Sequence, residues 1–395
     1  MPERPLLMIP GPIEVSHQVV AAAAKHPASH VAPDFIDSMG RAIENMRHVW
    51  LSGPDSQPFI VAGSGTTVMD MAVQNLVDPG DSVLVASSGH FSDRIAEMFR
   101  RRGAEVVEVK GAGGSDGRFA APLMADVETA LKGSSFKVLA ATHVDTSTGV
   151  RVDAKGLCDL ARAHGALTVF DGVCATAAER FEMAAWGADV YLTASQKAIG
   201  LPPGLALMVA SKRALDTRDE LQSKPPMSLD WHQWIPIMHA YENRKPSYFA
   251  TPATSLVAAL DVALLEMVGE GRKIDEAFAR HEKCANAMRT AWQVLGLELL
   301  PANSSEAANT LSAIRFPHGV DGKLMGEVGK RGVIVAGGLH PLCKGIYFRV
   351  GHMGDVLNRP QDLVKTVTAI GESLQALGHD CQVSQAVEAM TAILD

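Results

Sequence analysis

The chain has 395 residues, 47% of them apolar and 20% charged, which is ordinary globular usage and excludes wholesale disorder. Lys and Arg number 36 against 44 Asp and Glu, a net charge of −8, so no nucleic-acid partner is expected, because that affinity rests on clustered basic side chains. Five cysteines without a C-x-x-C pair argue against a disulfide framework or a zinc ribbon and fit a reducing, cytoplasmic setting; no apolar run has the length of a membrane span, and MPERPLLMIPGPIEVS does not read as a secretory signal.

In chain order, short apolar runs suited to buried strands are PFIVA (58–62), SVLVA (82–86), EVVEV (105–109), KVLAA (137–141), LTVF (167–170), DVYLT (189–193) and LALMVA (205–210). Helices are expected between them over 66–77, 92–102 and 154–164. Strand–helix alternation with strands apolar throughout predicts an α/β fold built on a parallel sheet covered on both faces. Residues 222–254, with five prolines and two tryptophans, read as an irregular excursion. A helix is expected over 255–268, closed by Gly269 and Gly271. Beyond about 275 the texture changes to helices at 276–295 and 360–377 alternating with the strand candidates TLSAIRF and GIYFRV, as in a smaller α+β domain. The division expected is an N-terminal arm (1–15), a large domain (16–270) and a small C-terminal domain (271–395).

In open α/β sheets ligands sit beyond the carboxyl ends of the strands, so the residues that follow each strand carry the argument. After PFIVA comes Gly63-Ser64-Gly65-Thr66-Thr67 and then a helix. Small residues there let backbone N–H groups approach a phosphate, although the same residues would serve as a tight turn with Thr66 as cap. After LTVF comes Asp171, either the partner of a cationic ligand atom or the cap of the next turn. After DVYLT comes Ala194-Ser195-Gln196-Lys197, in front of a Pro-Pro-Gly turn. A lysine there is either a solvated loop residue or a partly desolvated, nucleophilic amine. An anion site, a carboxylate and an amine at three strand ends are the three functions that pyridoxal 5′-phosphate needs.

The block ADVYLTASQKAIGLPPGLALMVAS (188–211), with FDGVCA upstream and FRVGHMG downstream, resembles the class V, fold-type I aminotransferases, and within them the alanine–glyoxylate and serine–glyoxylate group. The likeness runs from Ile9-Pro10-Gly11-Pro12 to Phe348-Arg349-Val350-Gly351. It implies a PLP-dependent transferase of fold type I that passes the amino group of alanine or serine to glyoxylate. Lys197 matches the Schiff-base lysine and Asp171 the partner of the pyridine nitrogen. Gly65, Thr66 and Gln196 match phosphate ligands, and Thr146 the hydroxyl near the ring oxygen. Val173 and Phe91 match the contacts on the two ring faces. Tyr248 and Thr251 match residues that reach the neighbouring subunit's phosphate, which implies a homodimer with shared sites. Arg349, with Gly11, matches the substrate-carboxylate site. Two positions depart from the pattern: Phe91 stands where tryptophan is common, leaving room beside His90, and Cys174 stands where Ser or Ala is common, and reads as packing. Related activities implied by the same likeness are pyridoxamine–pyruvate, 2-aminoethylphosphonate and aspartate–glyoxylate transamination. Ser64 stands where the pyridoxamine enzymes carry glutamate, and Gln196 where desulfurases carry histidine. A non-catalytic α/β binding protein is the alternative outside enzymes.

Overall fold

The computed structural model describes residues 4–114, 117–269 and 271–395. All seven apolar runs form strands of one sheet, in the order Gln57–Ala62, Leu205–Ala210, Val190–Ala194, Leu167–Asp171, Val138–Thr142, Ser82–Ser87, Glu105–Lys110. The sheet is mixed rather than parallel throughout. Leu205–Ala210 runs against both of its neighbours, while the remaining pairings are parallel. The cause is loop length: residues 195–204 are too few for a crossover helix, so the chain must return as a hairpin. That hairpin loop carries Gln196 and Lys197. The interior strands are buried, but Glu105–Lys110 at the edge is only partly covered, which its Glu and Lys side chains suit.

The helices that follow the strands are held by local chemistry. Ser64 and Thr67 form a capping box at the start of helix Gly65–Gln74. Helix His90–Arg102 carries Asp93 in its first turn and three arginines in its last, then stops at Gly103 in the left-handed region. The segment read as irregular contains helix Trp231–Glu242, with Pro236 inside it. Pro236 removes one backbone donor, yet the buried stripe Trp231, Trp234, Ile237, Met238, Tyr241 keeps helical spacing and holds the turn in place. Helix Thr254–Val268 ends at Gly269 as expected.

The apolar interior gathers in two main clusters. One surrounds the seven-stranded sheet and includes Trp50, Phe59, Phe170, Leu207 and Trp231. The other lies among helices Ile274–Val294 and Pro360–Ala376 and strands Leu311–Arg315 and Tyr347–Gly351, with Trp292, Ile314 and Phe348 at its centre. Those two strands and Ala336–Gly337 form an antiparallel sheet with Tyr347–Gly351 in the middle. Leu6 and Met8 belong to this second cluster, and Leu6–Leu7 pairs with Val333–Ile334. The N-terminal segment then crosses from there to Lys197. All five cysteines are buried, and among the described residues no helix is long and apolar enough to cross a membrane.

Candidate active site

Gly65, Asp171 and Lys197 stand at the carboxyl ends of strands Gln57–Ala62, Leu167–Asp171 and Val190–Ala194. At the first of these the cap is Ser64, not Thr66: Ser64 Oγ accepts from Thr67 N at 3.3 Å and Thr67 Oγ1 accepts from Ser64 N at 3.1 Å. Thr66 is thereby left exposed, its Oγ1 3.5 Å from Arg94 Nη1. The first backbone N–H groups of a helix have no intrahelical acceptor, and with Thr67 N taken by Ser64 those of Gly65 and Thr66 remain for an anion. A Cβ on Gly65 would lie 2.9 Å from Val173 Cγ2, so glycine is what lets the Val173 side chain cross this turn.

Asp171 is 2% exposed. Its Oδ1 accepts from Val173 N at 2.9 Å, so it does cap the following turn, and the Lys197 and Arg94 charges only partly offset its burial. Burial pushes its carboxyl up to about 7, with the Asp145 charge adding to the effect. Lys197 is 9% exposed and donates from Nζ to the Pro10 carbonyl. Burial lowers its ammonium from the ordinary value, and the Arg349 guanidinium works in the same direction. Gly11 has φ +107°, and a Cβ there would come within 2.7 Å of Lys197 Nζ, so a side chain at position 11 would occupy the amine's space. Gln196 beside it is half-buried.

Arg349 reaches this region from the small antiparallel sheet. Its Nε donates to Gly337 O at 2.8 Å and its Nη1 to Thr146 O at 3.2 Å. It meets no carboxylate, and burial works against its charge. Thr146 is buried and lies in the turn 146–149. Phe91 stands in the first turn of helix His90–Arg102, its backbone N 2.9 Å from Asp145 Oδ2, with the Arg94 guanidinium 4.8 Å from the ring centre. His90 lies 3.4 Å from Arg94 through Nε2. Cys174 packs among Ile13, Val144, Ala198 and Leu311, as a small buried side chain. Tyr248 and Thr251 are not drawn into this group within one chain: Tyr248 is 63% exposed, and the two hydroxyls lie 3.5 Å apart at the surface.

Four groups at the site were not singled out in the sequence. They are the Pro10 carbonyl, Arg94, Asp145 and Tyr347. Asp145 had a readable signal: Asp followed two residues later by Ser is an Asx-turn pattern, and Ser147 N does donate to Asp145 Oδ1 at 3.0 Å. The Pro10 carbonyl had none, since it comes from 187 residues away.

Buried histidines set an expected pH response. His143, His281 and His352 are each 3% exposed or less, and burial pushes them down to about 3, about 4 and about 3. Each is neutral in the fold and takes up a proton on unfolding below its ordinary value. The stability each contributes is therefore complete above about pH 6.5 and is lost as the pH falls. Asp171 and Glu179, both raised by burial, have the opposite sign and lose stability as the pH rises. Carboxyls lowered by their partners, such as Asp78 and Glu14, add to the histidines as the pH falls, so the melting temperature is expected to fall between about pH 6.5 and about pH 4.5. Melting curves at fixed ionic strength check this, and a rise across that window would mean that the histidines are charged in the fold.

Comparison with known proteins places this geometry. The family model described as aminotransferase class-V matches residues 14–356. The chain is 36% identical to alanine–glyoxylate aminotransferase 1 of Saccharomyces cerevisiae over 361 residues, covering 88% of this chain and 91% of the relative. It is 32% identical to the L-aspartate–glyoxylate aminotransferase of Paracoccus denitrificans, over 89% and 86% of the two chains. Among solved structures, pyridoxamine–pyruvate aminotransferase from Mesorhizobium loti superposes with a TM-score of 0.88 at 25% identity, over 100% of this chain and 98% of that one. The family model spans most of the chain and the yeast relative is matched over nine-tenths of its length, so the protein belongs to the class-V aminotransferase family.

Proposed function

We propose that the protein transfers the amino group of a small L-amino acid, alanine or serine, to glyoxylate, giving a 2-oxo acid and glycine, with pyridoxal 5′-phosphate as cofactor. The observation that carries this reading is the convergence of Lys197, Asp171 and Arg349 on one end of the sheet, close enough for the charges of Asp171 and Arg349 to act on the Lys197 ammonium. The relatives named for glyoxylate support the acceptor.

The residues present fit the cofactor. The N–H groups at Gly65 and Thr66, with Gln196, suit a phosphate. Asp171 suits a protonated ring nitrogen, which would hold its carboxylate ionised against burial. Val173 and Phe91 suit the two ring faces, and Thr146 the ring oxygen. When bound, pyridoxal phosphate supplies a ring that takes up the electron pair released at the substrate Cα. Lys197, its ammonium destabilised by burial, removes the Cα proton and returns it elsewhere, as general base and then acid. Arg349 offers a planar fork to the α-carboxylate, and Gly11 keeps space beside the amine.

The exposed Tyr248 and Thr251 support a homodimer in which they reach the partner's site. The two apolar clusters support a division into large and small domains, the first reaching Phe278 and the second taking up the chain at Cys284, and the buried cysteines support a cytoplasmic setting. One observation favours a second donor. Arg94, over the Phe91 ring and without an ion pair among the described residues, would receive the side-chain carboxylate of aspartate.

A panel of amino donors against glyoxylate and pyruvate tests the reading. Alanine or serine with glyoxylate should be the best pair. Arg349→Ala should lose about 30-fold or more in kcat/KM for donor and acceptor alike, since both present the same carboxylate. Full activity of that variant, or no reaction with glyoxylate, would overturn the assignment.

A further inference from the structure

We propose that Asp145 is a positioning residue that holds the Phe91 ring and the Arg349 guanidinium in register with each other, so that one buried carboxylate sets both the stacking platform and the carboxylate clamp. This rests on the roles given to Phe91 and Arg349 above.

Asp145 is 0% exposed, and its charge acts on the nearby Arg349 guanidinium. Its charge is met by hydrogen-bond donors from two separate elements. Oδ2 accepts from Phe91 N at 2.9 Å, from Ser92 N at 3.1 Å and from Ser92 Oγ at 3.3 Å, all in the first turn of helix His90–Arg102. A carboxylate is favoured there, because those N–H groups lack acceptors within the helix. Oδ1 accepts from Ser147 N at 3.0 Å and from Ser147 Oγ at 2.6 Å, in the turn on its own side. Ser147 Oγ accepts in turn from His90 N at 3.0 Å, closing the link between helix and turn.

The same turn is what the small antiparallel sheet grips. Thr146 O accepts from Arg349 Nη1 at 3.2 Å, and Ser147 O accepts from the Tyr347 hydroxyl. The Tyr347 oxygen also accepts from Leu339 N at 2.8 Å and His340 N at 2.9 Å, so the connection continues into the 338–346 loop. Position 89 is shaped to this arrangement. A Cβ on Gly89 would lie 2.6 Å from Asp145 Cγ and 2.7 Å from Ser147 Oγ.

Every partner of Asp145 is a donor, and this makes asparagine a sharp probe. Its amide has one acceptor oxygen and one NH2 group. It can satisfy the helix or the turn, but it must point donors at the other. Asp145→Asn therefore releases either Phe91 or the turn under Arg349, with little change in side-chain volume. Gly89→Ala pushes on the same carboxylate from outside.

The experiment uses the purified holoenzyme with pyridoxal phosphate. Three quantities are read: the visible circular dichroism of the bound cofactor, the affinity for propionate as an unreactive carboxylate, followed by the change in cofactor absorbance, and the melting temperature. Asp145→Asn and Gly89→Ala are each expected to weaken propionate by about tenfold or more and to alter the dichroism, the size expected when a charge-assisted contact is displaced. Their double variant is expected to be little worse than either alone, because both act on one group. Should Asp145→Asn fail to fold, Ser147→Ala, which removes a single hydroxyl, is expected to give the same two signatures at smaller size. A variant that folds with a lower melting temperature but unchanged propionate affinity and dichroism makes Asp145 merely structural and overturns the proposal. A wild type whose absorbance does not respond to any carboxylate overturns the functional reading itself, and this proposal with it.

Discussion

Lys197→Ala is expected to lower turnover by about 10⁴-fold or more, because a positioned general acid–base alone contributes about 10²–10⁴ and the covalent tether for the cofactor is lost with it. The expectation follows from where the amine sits. Lys197 lies in a ten-residue hairpin loop, is almost fully buried, and meets a neutral backbone carbonyl instead of a carboxylate. Burial and the Arg349 guanidinium outweigh the Asp171 charge, so the ammonium is lowered from its ordinary value toward the free amine, the form that can act as nucleophile and as base. Lys197→Arg should be as inactive as Lys197→Ala, since a guanidinium stays charged and does neither. Borohydride reduction of the wild type followed by peptide mapping should place the pyridoxyl label on Lys197. Partial recovery of Lys197→Ala by added methylamine would show that the missing part is the amine. A label on another lysine, or near-normal turnover without Lys197, removes it from the chemistry.

For Asp171→Ala, turnover is expected to fall by about 10³-fold, and the cofactor to be held less tightly by about 30-fold or more, the usual cost of losing one partner of a buried charge pair. A finer check comes from pH. In the protein without cofactor, burial keeps Asp171 protonated up to about pH 7. Binding a ring whose nitrogen carries a proton makes Asp171 release its own. Cofactor affinity should therefore rise as the pH rises toward about 7, and this component should be missing from Asp171→Asn. Equal pH dependence in wild type and variant, measured by titration of the apoprotein, would show that Asp171 does not meet the ring nitrogen.

Much of the large sheet could be read from the chain because its signal is local. A strand buried on both faces must be apolar along its length, and the interior strands show this, while the edge strand Glu105–Lys110 is only partly covered and keeps its charged side chains. The helices between them were legible too, with Gly269 ending one as expected, but the cap of the first is Ser64 rather than Thr66 and that helix closes at Gln74, short of residue 77. Helix Trp231–Glu242 was hidden for the converse reason. Its proline density argued for a break, while the packing of Trp231, Trp234 and Tyr241, invisible in the chain, restores the helix. The antiparallel course of Leu205–Ala210 was in principle readable from the ten residues before it.

By itself the sequence determined which residues could do chemistry here: a lysine, an aspartate and a glycine-rich turn, each just beyond an apolar run, since strand ends are where side chains and backbone donors become available to a ligand. Only the tertiary structure decided what surrounds them. Pro10 O against Lys197, the N-terminal crossing that puts Gly11 beside the amine, Arg349 from a different sheet, and Asp145 tying Phe91 to the Arg349 turn all join residues distant in sequence. No local pattern specifies such contacts. They arise when two apolar clusters pack and bring their edges together, and it is that packing which dries the site, lowers the Lys197 ammonium and raises the Asp171 carboxyl.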